Sequence, residues 1–182
     1  MADPSAAEVS RPVAQARDIL RKKVPRPKAA EILALSQKLK KENAFGYARR
    51  LLRLARESSE PQTDARLSLQ LAQEQALCTY KDPHLPVRNR LEGALRILDA
   101  ADPLTESRNQ ETLGLAGAIF KRKWEVGGRK SHLEQCLYYY LRGYRLGAAN
   151  DLGYTGINAA FILNQLADLE AAEAKRAGVE SK

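Results

Sequence analysis

His132 and Cys136 are the pair of residues whose types and spacing come nearest to catalytic chemistry. They are four positions apart, so in a helix both side chains lie on one face, where a histidine can activate a thiol as a nucleophile. A simpler interpretation also fits, because a cysteine within an apolar helical pattern is commonly a small buried residue. We favour this second interpretation for Cys136 and Cys78 and expect His132 to be a solvated residue near a helix start. No catalytic residue is therefore predicted.

Metal and cofactor sites lack their usual patterns. A structural zinc site needs four clustered ligands, whereas the sequence offers two cysteines far apart and two isolated histidines, His84 and His132. No glycine-rich loop of the phosphate-binding or dinucleotide type is present, and Gly127 with Gly128 is typical of a turn. We expect no metal and no cofactor.

Positive charge is concentrated in the first third of the chain. The formal net charge is +8, and residues 1–60 contain 14 Lys and Arg against 7 Asp and Glu. Such an excess can attract an acidic protein, nucleic acid or an anionic membrane, although a solvated helix face is the simpler interpretation. A strip of arginines at helical spacing could contact the phosphates of a nucleic-acid backbone. The sequence around it lacks a nucleic-acid recognition motif. We therefore favour an acidic protein or peptide as the partner, with nucleic acid as the weaker alternative. The strip comprises Arg49, Arg50, Arg53 and Arg56.

The elements that must position these residues are predicted to be helices. Ala, Leu, Arg and Glu dominate, period-2 alternation is absent, and apolar residues recur at helical spacing. No stretch is apolar enough for a membrane span, and the first residues do not form a secretory signal, so a cytoplasmic location is expected. We predict a disordered leader over residues 1–12, a single helical-repeat domain over 13–177, and a disordered tail over 178–182.

A small–bulky–small triad repeats at one internal spacing in three successive hairpins. In the first hairpin, Ile32, Leu35, Ser36 and Leu39 precede the triad and match the first helix of a tetratricopeptide repeat (TPR). The small residues let the paired helices approach each other, and the bulky ones fill the groove between them. The pattern predicts an all-α, TPR-like α-solenoid of about three helical hairpins plus a C-terminal helix. The triads are Ala48, Leu52 and Ala55; Ala94, Leu98 and Ala101; and Cys136, Tyr140 and Gly143.

Several strings resemble one group of bacterial TPR proteins beyond the general pattern. The most specific are ETLGLAGAIFKRKWE at residues 111–125 and GYTGINAAF at 153–161, and the resemblance covers roughly residues 64–168. The group is called TPR-S, for sensor, and is associated with a TRAFs-binding domain. The resemblance implies sensing or scaffolding in bacterial signalling or defence, in linkage with effectors such as caspase-like proteases, TIR domains or nucleotide-handling modules. We predict a non-enzymatic TPR-type adaptor or sensor that binds a protein or peptide. The alternative is a regulatory domain of a larger effector enzyme that senses a nucleic acid or nucleotide signal.

The first helices of stacked hairpins line a concave groove in TPR arrays, and polar residues there can hold a peptide or small ligand. We predict partner contacts for seven residues. For Asn158, which lies among small apolar residues of the last helix, a hydrogen bond to the backbone of a neighbouring helix is the alternative to a ligand contact. The seven residues are Gln37, Lys40, Lys41, Lys121, Lys123, Asn158 and Asn164.

The aromatic run 138–140 cannot be buried throughout, because three consecutive residues span about 200° of a helix. We expect Tyr140 in the core and at least one neighbour at the surface. The last helix, from about residue 154, leaves apolar side chains between Phe161 and Leu169 to be covered. Terminal repeats need a polar outer face, so either self-association through this helix or a downstream effector domain is expected to cover them.

Overall fold

The computed structural model describes residues 9–58 and 63–178, and every element of regular secondary structure in these ranges is helical. The predicted all-α fold built from helical hairpins is confirmed for this part of the chain. A 3-10 turn, Ala148–Asn150, precedes the last helix. The α-helices are α1 (Arg11–Leu20), α2 (Ala29–Lys41), α3 (Phe45–Arg56), α4 (Ala65–Lys81), α5 (Val87–Ala101), α6 (Gln110–Gly127), α7 (Lys130–Tyr144) and α8 (Tyr154–Arg176).

The first helix begins two residues before residue 13, where the helical-repeat domain was predicted to begin. The Ser10 hydroxyl accepts a hydrogen bond from the amide of Val13, and Pro12 lies in the first turn, where its missing N–H needs no partner. Arg11 and Pro12 therefore belong to α1 rather than to the predicted leader. Residues 1–8 of that leader, and residues 179–182 of the predicted tail, lie outside the described residues.

Two compact units divide the chain, one ending at Ile97 and the other beginning at Leu98, within α5. In the first unit, α2, α3 and α4 enclose a core of Leu, Ile and Ala. The small residues fall where predicted: Ser36 and Ala48 are fully buried, and the Ser36 hydroxyl donates to the carbonyl of Leu33 at 2.7 Å. Burying Ser36 therefore leaves no unpaired hydroxyl.

The second unit packs α6 and α8 against α7, and glycines make the closest approaches. A Cβ on Gly117 of α6 would lie 2.8 Å from the Tyr140 ring of α7. A Cβ on Gly143 of α7 would lie 2.7 Å from Cγ2 of Thr155 in α8. These contacts explain the small residues at 117 and 143, since only glycine leaves room for the facing side chain.

Helix α7 ends differently from what its sequence suggests. A left-handed glycine cap is typical of helix ends and would assign that role to Gly147, but α7 already ends at Tyr144, with Arg145 as a right-handed cap. Gly147 instead has φ of +113° and turns the chain into the 3-10 segment. The left-handed cap belongs to Gly128, at the end of α6.

The start of α8 is fixed by one carboxylate. Asp151 accepts hydrogen bonds from the amide and hydroxyl of Thr155, at 2.8 and 2.6 Å, and from the amide of Gly153 at 3.0 Å. Desolvation opposes ionisation of Asp151, yet these hydrogen bonds lower its pKa below the usual value. The charged carboxylate thus anchors the first turn of α8.

Candidate functional site

Gln37 and Lys40, two of the predicted partner-binding residues, converge on one acid within the first unit. The Gln37 amide donates to Oε1 of Glu74 at 2.7 Å, and Lys40 Nζ donates to Oε2 at 2.5 Å. The Lys40 and Glu74 side chains are each 18% exposed, so the contact joins α2 to α4 largely out of solvent. Lys41 is exposed on the last turn of α2. The partner role of these three residues stays a prediction, and Lys40 already has an acidic neighbour in its own chain.

The arginine strip of α3 is largely engaged inside the first unit. Arg49 Nε lies 3.1 Å from Oδ2 of Asp82, a carboxylate with no solvent exposure. The same carboxylate accepts from the amide of His84, and the Asp82 carbonyl accepts from Arg90. A buried acid of this kind needs its cation, so Arg49 stabilises the α4–α5 connection.

The other three arginines of the strip also have partners nearby. Arg50 lies over the Tyr47 ring and donates to the Gly46 carbonyl, and Arg53 pairs with Glu57. Arg56 donates to the side chain of Gln75 at 2.8 Å, and burial lowers its pKa. The strip is therefore not a row of free cations suited to following phosphates.

In the second unit, two predicted residues lie beside aromatic rings. Lys121 Nζ is 4.2 Å from the ring centroid of Phe161, and Lys123 Nζ is 5.3 Å from that of Phe120. Both distances fall in the range of cation–π attraction. Lys121 thus joins α6 to the exposed side of α8 at Phe161.

Asn158 and Asn164 occupy different positions on α8. The Asn158 amide donates to the carbonyl of Tyr154 in its own helix, at 2.9 Å, rather than to a neighbouring helix. Asn164 is exposed and lies in line with Ile157, Ala160 and Phe161, at helical spacings of three and four. Asn164 therefore belongs to an outward stripe of α8, whereas Asn158 lies to one side of it.

That stripe leaves apolar side chains on the surface of the second unit. Ile157 is 70% exposed and Phe161 43% exposed, and Leu163 lies nearby with 48% exposure. We call Ile157, Ala160, Phe161, Leu163 and Asn164 together the α8 surface. It borders a groove of about 500 Å³ between α7 and α8, whose other walls include Leu141 and Tyr144. The prediction that α8 leaves apolar side chains uncovered is confirmed for the described residues.

His132 and Cys136 do not form a nucleophilic pair. Cys136 is fully buried, and burial raises the pKa of its thiol to about 12, so it is protonated at neutral pH. His132 lies near the start of α7 as expected, but it is only partly exposed to solvent. Its ring is partly buried and its Nδ1 atom has no solvent contact; burial, followed by the charges of Lys123 and Arg129, lowers its pKa. Cys78 is likewise buried with a pKa of about 12, which confirms the simpler interpretation of both cysteines.

The tyrosine run behaves as predicted. Tyr140 and Tyr139 are buried, and Tyr138 is 48% exposed. Tyr140 packs edge-on against Tyr154 with ring centroids 6.0 Å apart, which ties α7 to the start of α8. The run therefore supports the placement of α8.

A second concave feature of this unit was missed from the sequence. It lies between the α5–α6 connection and the end of α7 and contains Arg108, Arg142 and Arg145. The available signal was the string YLRGYR, whose two arginines lie one turn apart at a helix end. Nothing in the sequence indicates that Arg108, more than thirty residues earlier, joins them.

Within the described ranges, no three His, Cys, Asp or Glu side chains cluster closely enough to hold a metal ion. None of the helices placed there is long and apolar enough to cross a membrane.

Comparison with protein families gives one match. The family described as Tetratricopeptide Repeats-Sensor, TPR-S, matches residues 44–163, close to two thirds of the chain. The match includes the glycine-rich strings that form the tight crossings of α6, α7 and α8. No curated protein and no solved structure matches the chain. The chain thus belongs to the tetratricopeptide repeats-sensor family and has the TPR-type helical-repeat fold of a sensor module.

Proposed function

We propose that this protein is a non-catalytic sensor and adaptor module that binds a helix of a partner protein on the α8 surface. One observation carries the proposal: Ile157, Phe161 and Leu163 are exposed on a helix that packs on its other side against α7. Helical repeats bury the apolar face of each helix against a neighbour, and contiguous exposed apolar side chains mark interaction sites.

The spacing of the α8 surface favours a helix as the bound element. Ile157, Ala160, Phe161 and Asn164 follow the i, i+3, i+4, i+7 pattern with which one helix packs on another. Ala160 lies between the two larger side chains and leaves room for an incoming one. The groove beside it, about 500 Å³ in volume, has the apolar lining that receives anchor residues of an amphipathic helix.

Polar groups at the edge of the α8 surface favour a partner helix with acidic flanks. Lys121 lies over Phe161 at one edge, and Asn164 offers an amide at the C-terminal end of the surface. Charges at the rim of an interface chiefly direct association and specificity, while the apolar anchors contribute most of the binding energy. Lys121 and Asn164 thereby keep the partner-binding roles predicted from sequence.

The family resemblance supports a role in bacterial signalling or defence, in the cytoplasm, with an effector protein as partner. A sensor without its own catalytic residues must transmit its signal by contact, and α8 offers the surface for it. A second copy of this chain is the competing occupant, and the experiment below separates the two.

A photo-crosslinking amino acid at position 157 tests the proposal in native host cells. The cross-linked protein is identified, purified and titrated against wild type and Ile157→Glu. We expect Ile157→Glu to weaken binding at least about tenfold, since it places a carboxylate in an apolar interface. Val126→Glu is the matched control, because Val126 is an exposed apolar residue at the end of α6, outside the α8 surface.

Both variants should keep the wild-type melting temperature, because both positions are exposed. Equal loss of binding in both variants, or no loss in either, contradicts the proposal. Sedimentation of the full chain at rising concentration tests whether a second copy of the chain occupies the α8 surface. A mass that doubles in wild type but not in Ile157→Glu shows that the occupant is a second copy.

A further inference from the structure

The cleft that contains Arg108, Arg142 and Arg145 is a concave feature that the docking role of α8 does not use. It has a volume of about 450 Å³ and is open to solvent. One wall is the connection between α5 and α6, and the other is the last turn of α7 with the residues that follow. Leu113 of α6 contributes an apolar floor.

Arg142 fixes the shape of this cleft. Its guanidinium donates to the carbonyls of Leu104 and Ser107, each at 2.7 Å, and so holds the α5–α6 connection against α7. The Ser107 hydroxyl in turn donates to Asp102 at 2.6 Å. These contacts preorganise one wall, which lowers the entropy lost on binding a ligand.

Charge in the cleft is unbalanced. Arg108 and Arg145 are exposed, and neither guanidinium has a hydrogen bond or ion pair within the part of the chain that the structure describes. Arg142 bonds to carbonyls there and meets no carboxylate. Glu106 is the one acid among the lining residues, against three arginines. An anionic ligand would restore the balance.

The chemistry of the two uncommitted arginines favours phosphate. A guanidinium presents a planar fork of N–H donors that matches phosphate oxygens two at a time. A phosphomonoester carries close to two negative charges above its second pKa of about 6, enough for both arginines, whereas a phosphodiester carries one. The charge of the site therefore selects a terminal phosphate over the backbone of a nucleic acid.

The volume of the cleft sets the size of the ligand. Sites for small molecules commonly measure about 300–1,000 Å³, so 450 Å³ exceeds the needs of a phosphate ion alone. Leu113 and Leu146 provide apolar contacts for the rest of the molecule. We propose that this arginine cleft binds the terminal phosphate of a small phosphomonoester of nucleotide or sugar-phosphate size.

Calorimetric titration of the full chain at low salt and pH 7.5 tests the site with four probes: AMP, ribose 5-phosphate, adenosine and 3′,5′-cyclic AMP. We expect AMP to bind, adenosine not to bind, and the cyclic diester to bind at least about tenfold more weakly, since it carries half the charge. Tighter binding of AMP than of ribose 5-phosphate identifies a nucleotide, and equal binding identifies a sugar phosphate. Affinity for AMP should fall between pH 7.5 and pH 5.5, as the phosphate gains its second proton.

Substitutions distinguish binding in this cleft from attraction to positive charge elsewhere on the protein. The double variant Arg108→Gln/Arg145→Gln should lower AMP affinity at least tenfold. Lysine at both positions should restore part of the affinity for AMP, because lysine returns the positive charge but not the planar guanidinium with its two parallel N–H donors. The matched control is Arg50→Gln/Arg53→Gln in α3, which should bind AMP like wild type. Circular dichroism of each variant checks that it is folded.

Three results would overturn the proposal. One is adenosine binding as tightly as AMP. Another is unchanged AMP affinity in Arg108→Gln/Arg145→Gln. The third is binding of a generic DNA duplex with a steep salt dependence while AMP and ribose 5-phosphate do not bind, which would assign the cleft to nucleic acid.

Discussion

The two basic regions of this protein differ in what their arginines contact. In α3, Arg49 pairs with a buried acid, Arg53 with Glu57, and Arg56 with an amide. In the second unit, Arg108 and Arg145 face an open cleft, with no ion pair among the described residues. The first third of the chain holds nearly all of the net charge. The two arginines that lie beside a cavity without an ion pair nevertheless belong to the second unit.

This difference shows that net charge is a poor guide to where ligands bind. A cation already paired with a buried acid stabilises the fold, and removing it leaves that acid without compensation. A cation without a partner beside a cavity is available to a ligand. The same contrast holds for apolar groups, since the leucines of α2 and α3 form a closed core while Ile157 and Phe161 remain exposed.

The largest effect is expected at the buried acid of the first unit. Asp82→Ala should lower the free energy of unfolding by about 3 kcal/mol, because it removes the partner of Arg49 and the acceptor for the His84 amide. Glu57→Ala is the control, since it breaks the exposed pair with Arg53 and should cost less than about 0.5 kcal/mol. Chemical denaturation measures both. Equal costs would show that the arginines of α3 are as uncommitted as those of the cleft.

A smaller effect is expected at the helix crossing of the second unit. Gly117→Ala places a methyl group 2.8 Å from the Tyr140 ring, which should destabilise the protein by about 1–3 kcal/mol. Gly127→Ala is the control, because a Cβ there meets no atom within 4 Å. Its melting temperature should stay level or rise slightly, since alanine favours the helix. Equal melting temperatures for the two variants would contradict the close packing of α6 on α7.

The smallest effect is expected at the start of α8. Asp151→Ala removes the acceptor for the amides of Gly153 and Thr155 and should cost about 1 kcal/mol, as loss of a helix cap does. Because the folded pKa of Asp151 lies below its usual 3.8, the stabilisation is complete above that pH and is lost as pH falls through the folded value. Chemical denaturation of wild type and Asp151→Ala at pH 7 and pH 3 measures this stabilisation. A loss of stability in the variant that is larger at pH 3 than at pH 7 would contradict the anchoring role of Asp151.

The spacing of the repeats predicted the fold, because a helical hairpin depends on the local pattern of small and bulky residues. Ala48, Leu52 and Ala55 occupy the buried face of α3 that their spacing indicates, and Cys136 and Tyr140 do the same in α7. Helix type and the buried face follow from periodicity alone. The sequence shows that residue 117 is small, but it does not show that the tight helix crossing there depends on the Tyr140 ring that faces it.

The candidate sites were less predictable, because they depend on which distant residues meet. Arg49 and Asp82 are 33 positions apart, and Arg142 bonds to carbonyls 35 and 38 positions earlier. Sequence pattern carries no information about such pairs. The exposed side of α8 was predicted in part, because the sequence places more apolar side chains between Phe161 and Leu169 than one packed face accounts for.

Hydrogen exchange of the full chain, measured alone and with its purified partner, is the direct test of docking on the α8 surface. We predict slower amide exchange over residues 154–164, on the α8 surface, and unchanged exchange over residues 45–56 of α3. Exposed helix amides gain protection when a partner covers them and suppresses local opening. Protection confined to residues 45–56, with α8 unchanged, would contradict it and place recognition on the basic first unit.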